Sequence, residues 1–223
     1  MKAYKRVISI GAHPFDAEVM AGPMIIRQNK LGAKCTLAHV TTGRLERSDA
    51  TEAEKQEYLT SLNNQIANAA KALGADVWQM NYISSKMPDV YEFVDTIANY
   101  LRAEKVDLVI SHHLGTMHDR HYYTYKGVYE AVKKLRREGI NIDLLYGENL
   151  EDLVGFIPTK YVLIDEEEVE QWFNALKKYD LYHGKINAIP YDAYYRTMGK
   201  VRGIEAGSAE FLKAYMHAGL IEY

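Results

Sequence analysis

Short apolar runs alternate with longer stretches of helical periodicity along most of this chain. From the apolar runs we predict six strands, at Val7–Ile10, Cys35–Val40, Val77–Tyr82, Leu108–Ser111, Leu144–Tyr146 and Tyr161–Ile164. From the helical periodicity we predict five helices, at Ala17–Lys30, Ala53–Leu73, Val90–Ala103, Tyr123–Arg137 and Glu166–Tyr182. Because strands that alternate with helices are typical of βαβ units, we expect an α/β fold whose mostly parallel sheet carries helices on both faces.

Local signals mark several ends of these helices. Gly32 follows Leu31 and Gly74 follows Leu73, and glycine readily takes the left-handed conformation that commonly ends a helix. Asp165 precedes three glutamates, a pattern that favours an N-cap followed by charges that complement the helix dipole.

The 223 residues fit one domain, 1–223, with 187–223 as a C-terminal cap or interface segment. That segment carries Pro190 and a cluster of aromatic and basic side chains, Tyr191, Tyr194, Tyr195 and Arg196. Because aromatic residues and arginine are enriched at interfaces, the cluster predicts either a homo-oligomer contact or closure over an active site. We expect a further helix at Ala209–His217.

Charge and cysteine content restrict the partners and the compartment. The chain has 27 basic and 30 acidic residues and a net charge of −3, which argues against a nucleic-acid partner. No apolar run approaches the ~20 residues of a membrane span, which argues against a membrane partner. Cys35 is the only cysteine, so an intrachain disulfide is excluded, and the N-terminus lacks a signal-peptide layout. We therefore expect a cytoplasmic protein.

A histidine and an aspartate lie three residues apart in Gly11–Glu18, where the first predicted strand gives way to a helix. Ligands of open α/β sheets bind at the carboxyl ends of the strands, and imidazole and carboxylate are good zinc ligands. His13 and Asp16 are therefore candidate ligands of one metal ion. Glu18 is a candidate for orienting one of these ligands without binding the metal itself. The motif is equally consistent with an exposed loop histidine and a first-turn aspartate that favours the helix dipole.

A second polar cluster follows the predicted strand Leu108–Ser111. His112 and His113 end this strand, and His118 and His121 precede the next helix, so four of the eight histidines lie within ten residues. His121 is the best candidate for a third metal ligand. His118 is a candidate for donating a proton or a hydrogen bond to a developing oxyanion. We expect structural or solvent-facing roles for three others, His39, His183 and His217.

Other enzyme classes lack their signatures in this sequence. No G-x-G-x-x-G follows the first strand, and neither a P-loop nor a G-x-S-x-G elbow is present. Cys35 lies inside an apolar strand, which favours a core position over a catalytic thiol. A dinucleotide-dependent oxidoreductase and a serine or cysteine hydrolase are therefore disfavoured, whereas a non-catalytic assembly protein stays open.

Together these motifs resemble the PIG-L/LmbE-like family of zinc-dependent N-deacetylases over most of the chain. The matching segments, in chain order, are Ala12-His13-Pro14, Asp16-Ala17-Glu18 with Gly22, Thr41-Thr42-Gly43, Ala69–Gly74, His118 with His121, and Ala209-Glu210-Phe211. The resemblance implies a Rossmann-like sheet and zinc held by His13, Asp16 and His121. Iron(II) suits two histidines and one carboxylate as readily as zinc does.

The resemblance also implies the reaction, which is hydrolysis of an N-acyl bond. Substrates typical of the family are N-acetylglucosamine units linked to inositol, phosphatidylinositol, malate or another aglycone. We expect a small-molecule amino-sugar substrate here as well. Arg44 and Arg47 after the second strand are candidates for contacting an anionic group of that substrate, although the usual exposure of arginine favours solvated surface positions for both. Glu148 after the fifth strand is another candidate for contacting the substrate.

The chain departs from the family at the position of the general base, where Phe15 replaces a carboxylate. Loss of such a group typically lowers a rate by about 10²–10⁴-fold. Asp119 is the first candidate for a relocated base, because Asp119 and Arg120 occupy the places of a proline and an aspartate in the family's second motif. Glu148 and Asp152, in the polar stretch after the fifth strand, are further candidates.

Three interpretations of this departure stay open. The chain is a hydrolase with a relocated base, a weak or inactive family member that retains a metal and binds a small molecule, or an enzyme whose metal-assisted reaction needs no base at position 15. Metal content separates all three from a purely structural protein. Turnover of N-acetylated amino sugars separates the first from the second.

Overall fold

The computed structural model describes residues 1–220, which form one sheet flanked by helices. The strands are β1 Arg6–Gly11, β2 Lys34–Thr41, β3 Asp76–Tyr82, β4 Leu108–Ser111, β5 Asp143–Gly147, β6 Lys160–Ile164 and β7 Phe211–His217. The helices are α1 Asp16–Lys30, α2 Glu52–Leu73, α3 Val90–Ala103, α4 Asp119–Arg137, α5 Glu166–Leu176 and α6 Tyr191–Glu205, with a 3₁₀ turn at Asp180–His183. Residues 221–223 of the predicted C-terminal segment lie outside the described residues.

The strand order β3-β2-β1-β4-β5-β7-β6 places β1 where the chain reverses its direction of travel across the sheet. β1 pairs in parallel with β2 on one side and β4 on the other, so that Val7 lies opposite both Cys35 and Leu108. β7 runs antiparallel between β5 and β6. The carboxyl ends of β1 and β4 therefore lie side by side at the switch point, where open α/β sheets bind ligands. The predicted α/β class with a mostly parallel sheet is confirmed.

Different helices bury the two faces of the sheet. Val7 of β1 packs into the core beneath α1, α2 and α5, whereas Ile8 and Ile10 pack into the core beneath α3 and α4. This alternation follows from the pleat, which sends successive side chains to opposite faces. Cys35 is buried in β2 as predicted, and burial raises the pKa of its thiol to about 12.

The predicted helix ends near Gly32, Gly74 and Asp165 are confirmed. Gly74 ends α2 with a φ of 69°, and Gly32 follows α1 with a φ of 86°, both in the left-handed region. Asp165 caps α5 by accepting a hydrogen bond from the backbone N–H of Glu168, whose side chain accepts one from the backbone N–H of Asp165. No helix within residues 1–220 is long and apolar enough to cross a membrane.

The C-terminal segment differs most from the prediction. The helix predicted at Ala209–His217 is wrong, because Phe211–His217 forms β7 inside the sheet. Lys213 interrupts the apolar pattern that would have predicted a strand, because a charged residue occupies a buried position. Its side chain is only 2% exposed, and its ammonium donates to the backbone carbonyl of Glu148. The helix α6 was not predicted, and the helix predicted at Glu166–Tyr182 ends at Leu176 and is followed by the 3₁₀ turn.

A close contact between α1 and α5 fixes the start of α1 above the sheet. The Trp172 ring is buried against Gly22, where an added Cβ would lie 2.1 Å from Cδ1 of the indole. The indole N–H of Trp172 also donates to the backbone carbonyl of Glu18 at 2.9 Å. Only a residue without a side chain leaves room for this ring, so Gly22 determines how closely α5 approaches α1.

We predict that Gly22→Ala lowers the free energy of unfolding by about 1–3 kcal/mol, the usual effect of overfilling a packed core. Alanine by itself would favour a helix interior by ~1 kcal/mol over glycine, so a net loss reports the clash with Trp172. Urea unfolding measures the change. Gly219→Ala is the control, because nothing lies within 4 Å of a Cβ at that position. An unchanged or increased stability of Gly22→Ala would contradict the contact.

Candidate metal centre

Polar side chains lie just beyond the carboxyl ends of three neighbouring strands. His13 and Asp16 follow β1, His112 and the histidines of the next loop follow β4, and the segment 147–152 follows β5. Because β1, β4 and β5 are parallel neighbours, these side chains meet at one edge of the sheet. The two motifs that the sequence analysis singled out are thus brought together at the switch point.

The turn after β1 brings Asp16 close to His13. Phe15 adopts a φ of 92°, and Asp16 is the first residue of α1. Asp16 Oδ2 accepts the backbone N–H of His13 at 2.8 Å and lies 3.3 Å from His13 Nδ1. Asp16 Oδ1 is 3.4 Å from the amide nitrogen of Asn149, which follows β5. Burial alone would raise the pKa of Asp16, but His121, His112 and His13 hold it well below its usual range.

His121 lies in the first turn of α4 and faces Asp16. Its Nδ1 is 2.9 Å from Asp152 Oδ1, while its Nε2 is 3.4 Å from Asp16 Oδ2. Burial by itself would lower the pKa of His121, but Asp16 and Asp152 raise it to about 10. With the Nδ1 proton directed at Asp152, the Nε2 lone pair faces a carboxylate oxygen, an arrangement that needs a positive charge between them. Either a proton or a metal cation meets that need.

Asp152 bridges two imidazoles. Its Oδ2 is 2.6 Å from His112 Nδ1, and its Oδ1 is bonded to His121. The Nε2 of His112 accepts the backbone N–H of Ala12 at 2.9 Å, so the lone pair on that nitrogen is already used. His112 is therefore poorly suited to bind a metal, and the carboxylate bridge fixes the ring of His121 instead.

Two overlapping groups of donor atoms lie within 4.8 Å of one another: His13, His118 and His121, and Asp16, His112 and His121. His121 belongs to both. Asp16 Oδ2 is within 3.4 Å of ring nitrogens of both His13 and His121. Since His112 Nε2 is engaged by Ala12, Asp16 and His121 stay as the candidate ligands of the second group, and His13 of the first group lies beside Asp16.

His118 caps α4 with one ring nitrogen and leaves the other free. Its Nδ1 accepts the backbone N–H of Arg120 at 3.3 Å, which places the proton of the neutral ring on Nε2. Burial and the nearby charges of His121 and His13 lower the pKa of His118 to about 4. Its ring stacks on His121 with the centroids 4.4 Å apart. His118 is thus a neutral donor beside the candidate ligands.

A cavity of about 290 Å³ opens onto these residues. Its lining comprises His13, Pro14, Phe15, Asp16, Val19, His118, His121, Asn149, Glu151, Leu181, Ile186, Asn187, Tyr191 and Tyr195. Tyr191 and Tyr195 belong to α6, so the C-terminal segment closes one wall of the cavity. Glu151 Oε2 lies 3.8 Å from His121 Nε2, and burial raises the pKa of the Glu151 carboxyl.

The Phe15 ring packs against Tyr179 and Tyr191, and we call these three rings the aromatic wall. Position 15 therefore supplies no carboxylate. Phe15 is buried, with its ring centroid 4.9 Å from that of Tyr191 and 5.4 Å from that of Tyr179. The Tyr179 hydroxyl donates to Glu18, and Glu18 Oε1 lies 3.1 Å from His39 Nε2. Glu18 therefore holds Tyr179 of the aromatic wall through a hydrogen bond. The structural role expected for His39 agrees with its full burial.

The structure places the other predicted site residues away from the cavity. Asp119 is exposed at the start of α4 and does not line the cavity. Arg44 and Arg47 follow β2 and line a separate depression with Glu46, Glu52 and Lys55. Glu148 is 1% exposed and pairs with Arg202 through a 2.6 Å contact.

Sequence reasoning missed the roles of the residues after β5. Asp152 was considered only as a base, whereas it bridges His112 and His121, and Asn149 and Glu151 were not singled out. The available signal was the polar run that follows a predicted parallel strand. Parallel neighbours bring such runs to the same sheet edge, so the run after β5 indicates a site there as strongly as the β1 motif does.

Comparisons with known proteins identify a family whose model this chain matches. A family model described as "PIG-L: GlcNAc-PI de-N-acetylase" matches residues 8–132, which include His13, Asp16 and His121. No curated protein sequence matches the chain significantly.

Several solved structures share the fold. N,N'-diacetylchitobiose deacetylase from Pyrococcus horikoshii is 16% identical, with a TM-score of 0.74 over 96% of this chain and 84% of that one. GalB, the 4-carboxy-2-hydroxymuconate hydratase from Pseudomonas putida KT2440, is 16% identical, with a TM-score of 0.78 over 98% of both chains. The zinc-inhibited form of teicoplanin deacetylase Orf2 is 14% identical, with a TM-score of 0.72 over 96% of this chain and 99% of that one.

At these sequence identities the solved structures establish only the fold. The assignment to a family rests on the match to the family model. That match spans more than half of the chain and contains both polar motifs of the switch point. The chain therefore belongs to the PIG-L family of GlcNAc-PI de-N-acetylases, as its motifs predicted.

Proposed function

We propose that this protein is a metal-dependent hydrolase that removes an N-acetyl or related N-acyl group from an N-acetylglucosamine-type substrate. The observation that carries the proposal is the pair of atoms His121 Nε2 and Asp16 Oδ2, 3.4 Å apart beside His13. These donors suit a divalent cation at the edge where open α/β sheets bind ligands. Family membership and the deacetylases among the structural neighbours support the reaction class.

His13, Asp16 and His121 would hold the ion, with zinc expected and iron(II) as the alternative. When bound, the metal supplies Lewis-acid polarisation of the acyl carbonyl. His118 lies beside these ligands as a neutral ring with its Nε2–H free, and it would donate a hydrogen bond to the oxyanion that develops on the acyl oxygen.

The cavity would accommodate the acylated sugar itself. At about 290 Å³ it is near the lower end of small-molecule pockets, which start at ~300 Å³. Tyr191 and Tyr195 give it aromatic walls, while Asn149 and Asn187 add amide groups that suit sugar hydroxyls. Arg44 and Arg47 lie outside this cavity, so any contact with them would involve the aglycone.

Phe15 favours a second candidate function, a metal-retaining protein that binds an amino sugar without turning it over. The ring occupies the place of the family's base and is buried against Tyr179 and Tyr191, so it provides no proton-transfer group there. Turnover separates this function from hydrolysis.

The test of the proposed function is metal content and turnover measured on the same samples. We expect near-stoichiometric metal in protein prepared without chelator, and metal-dependent release of acetate from N-acetylglucosamine derivatives. His13→Ala should lose the metal and the turnover. His183→Ala, an exposed histidine in the 3₁₀ turn, is the matched control and should retain both. Metal without turnover would favour the binding protein, and absence of metal after zinc or iron(II) is added would contradict both functions.

We predict that Asp152→Asn weakens zinc binding by about 10–100-fold, the usual effect of removing a partner that orients a metal-binding histidine. An asparagine keeps the shape of the side chain, but its one acceptor oxygen can serve only one of the two imidazoles that Asp152 bridges. Competition with a coloured chelator measures the affinity. Zinc affinity within twofold of wild type would show that the bridge does not orient His121.

A further inference from the structure

Amide hydrolysis requires a group that takes a proton from water and later gives one to the departing amine. The carboxylates around the cavity are few, and most of them have their oxygens engaged. Asp152 is bonded through both oxygens to His112 and His121. Asp16 lies between His13 and His121 and also contacts Asn149. Glu151 is the remaining acidic residue in the described lining of the cavity.

Glu151 is placed where it can reach the reacting groups. Its Oε2 lies 3.8 Å from His121 Nε2, and its side chain is 42% exposed and lines the cavity. The neighbouring residues hold its backbone firmly: the Glu151 N–H donates to Asn149 Oδ1, and Asp152 is anchored by the two histidines. A carboxylate on this short, fixed segment is held close to the candidate metal ligands and is still free to exchange a proton.

Building on the proposed hydrolase function, we propose that Glu151 is the proton-transfer carboxylate of this enzyme. Glu151 takes one proton from the attacking water while the water oxygen forms a bond to the acyl carbon. His118 donates a hydrogen bond to the resulting oxyanion. The carbonyl then re-forms as the C–N bond breaks, and Glu151 delivers its proton to the departing amine nitrogen. The products are a free amine and a carboxylic acid, which loses its remaining proton to solvent.

In this role the base follows a different strand from the one that precedes the family's general base. Position 15 lies on the turn after β1, whereas Glu151 lies on the segment after β5. Both segments border the same cavity, because Phe15 and Glu151 both line it. The aromatic wall at Phe15 and a working hydrolase are therefore compatible in one site.

We predict that Glu151→Gln lowers kcat by about 10²–10⁴-fold, the usual effect of losing a general acid–base group. Zinc affinity, measured by chelator competition, should stay within about threefold of wild type, because glutamine leaves His13, Asp16 and His121 intact. Calorimetry should show that the zinc-loaded variant still binds an N-acetylglucosamine derivative. Glu167→Gln, an exposed position in the first turn of α5, is the matched control and should keep full turnover.

Four results would overturn the proposal. Wild-type turnover in Glu151→Gln would remove Glu151 from the reaction and leave the hydrolase function standing. A tenfold or greater loss of zinc affinity would make Glu151 a metal ligand instead. Loss of turnover in Asp119→Asn, with turnover retained in Glu151→Gln, would assign the step to Asp119. An inactive but zinc-bound wild-type protein would contradict the hydrolase function itself, and the role of Glu151 with it.

Discussion

The candidate site depends on one buried carboxylate that holds two imidazoles. Asp152 fixes His112 and His121 through opposite oxygens, and its own position is set by the segment that leaves β5. This bridge leaves His121 Nε2 as the free nitrogen of that ring and turns it towards Asp16. A carboxylate beside two histidines is stable when buried because each of its oxygens accepts a hydrogen bond. The orientation of the ring, and so the donor set, follows from that arrangement.

The aromatic wall behind Phe15 shows how the fold accommodates the loss of a carboxylate. Phe15, Tyr179 and Tyr191 pack edge to face, and Tyr179 is tied to the buried Glu18. A carboxylate at position 15 would be desolvated among these rings, whereas phenylalanine fills the space. The same wall connects the β1 turn to α6, so the C-terminal segment and the first motif stabilise each other.

Much of the fold can be predicted from the sequence, because the spacing of apolar residues and the residues that end helices indicate the same elements. The alternation of Val7 and Ile8 between the two faces and the glycine at the end of α2 follow directly from local rules. β7 was not predicted, because Lys213 is buried by a partner, Glu148, that lies 65 residues away. Such long-range pairing has no local signature.

Within the site, the sequence identified residues that sit directly on the two motifs but could not rank the remaining acidic ones. His13, Asp16 and His121 are brought together. Asp119 is exposed at the start of α4, whereas Glu151 lines the cavity. The difference depends on where the folded backbone places each residue relative to the cavity. Hydrogen bonds such as the one from the Glu151 N–H to Asn149 Oδ1 hold that backbone, and they form only in the folded chain.

The most direct measurement of the central claim is a crystal structure of the zinc-loaded protein with anomalous data collected on both sides of the zinc edge. The account predicts one strong anomalous peak bound by His13, Asp16 and His121, with Asp152 still bridging His121 and His112. A peak bound by His112, a peak elsewhere on the chain, or no peak in zinc-soaked crystals would contradict it.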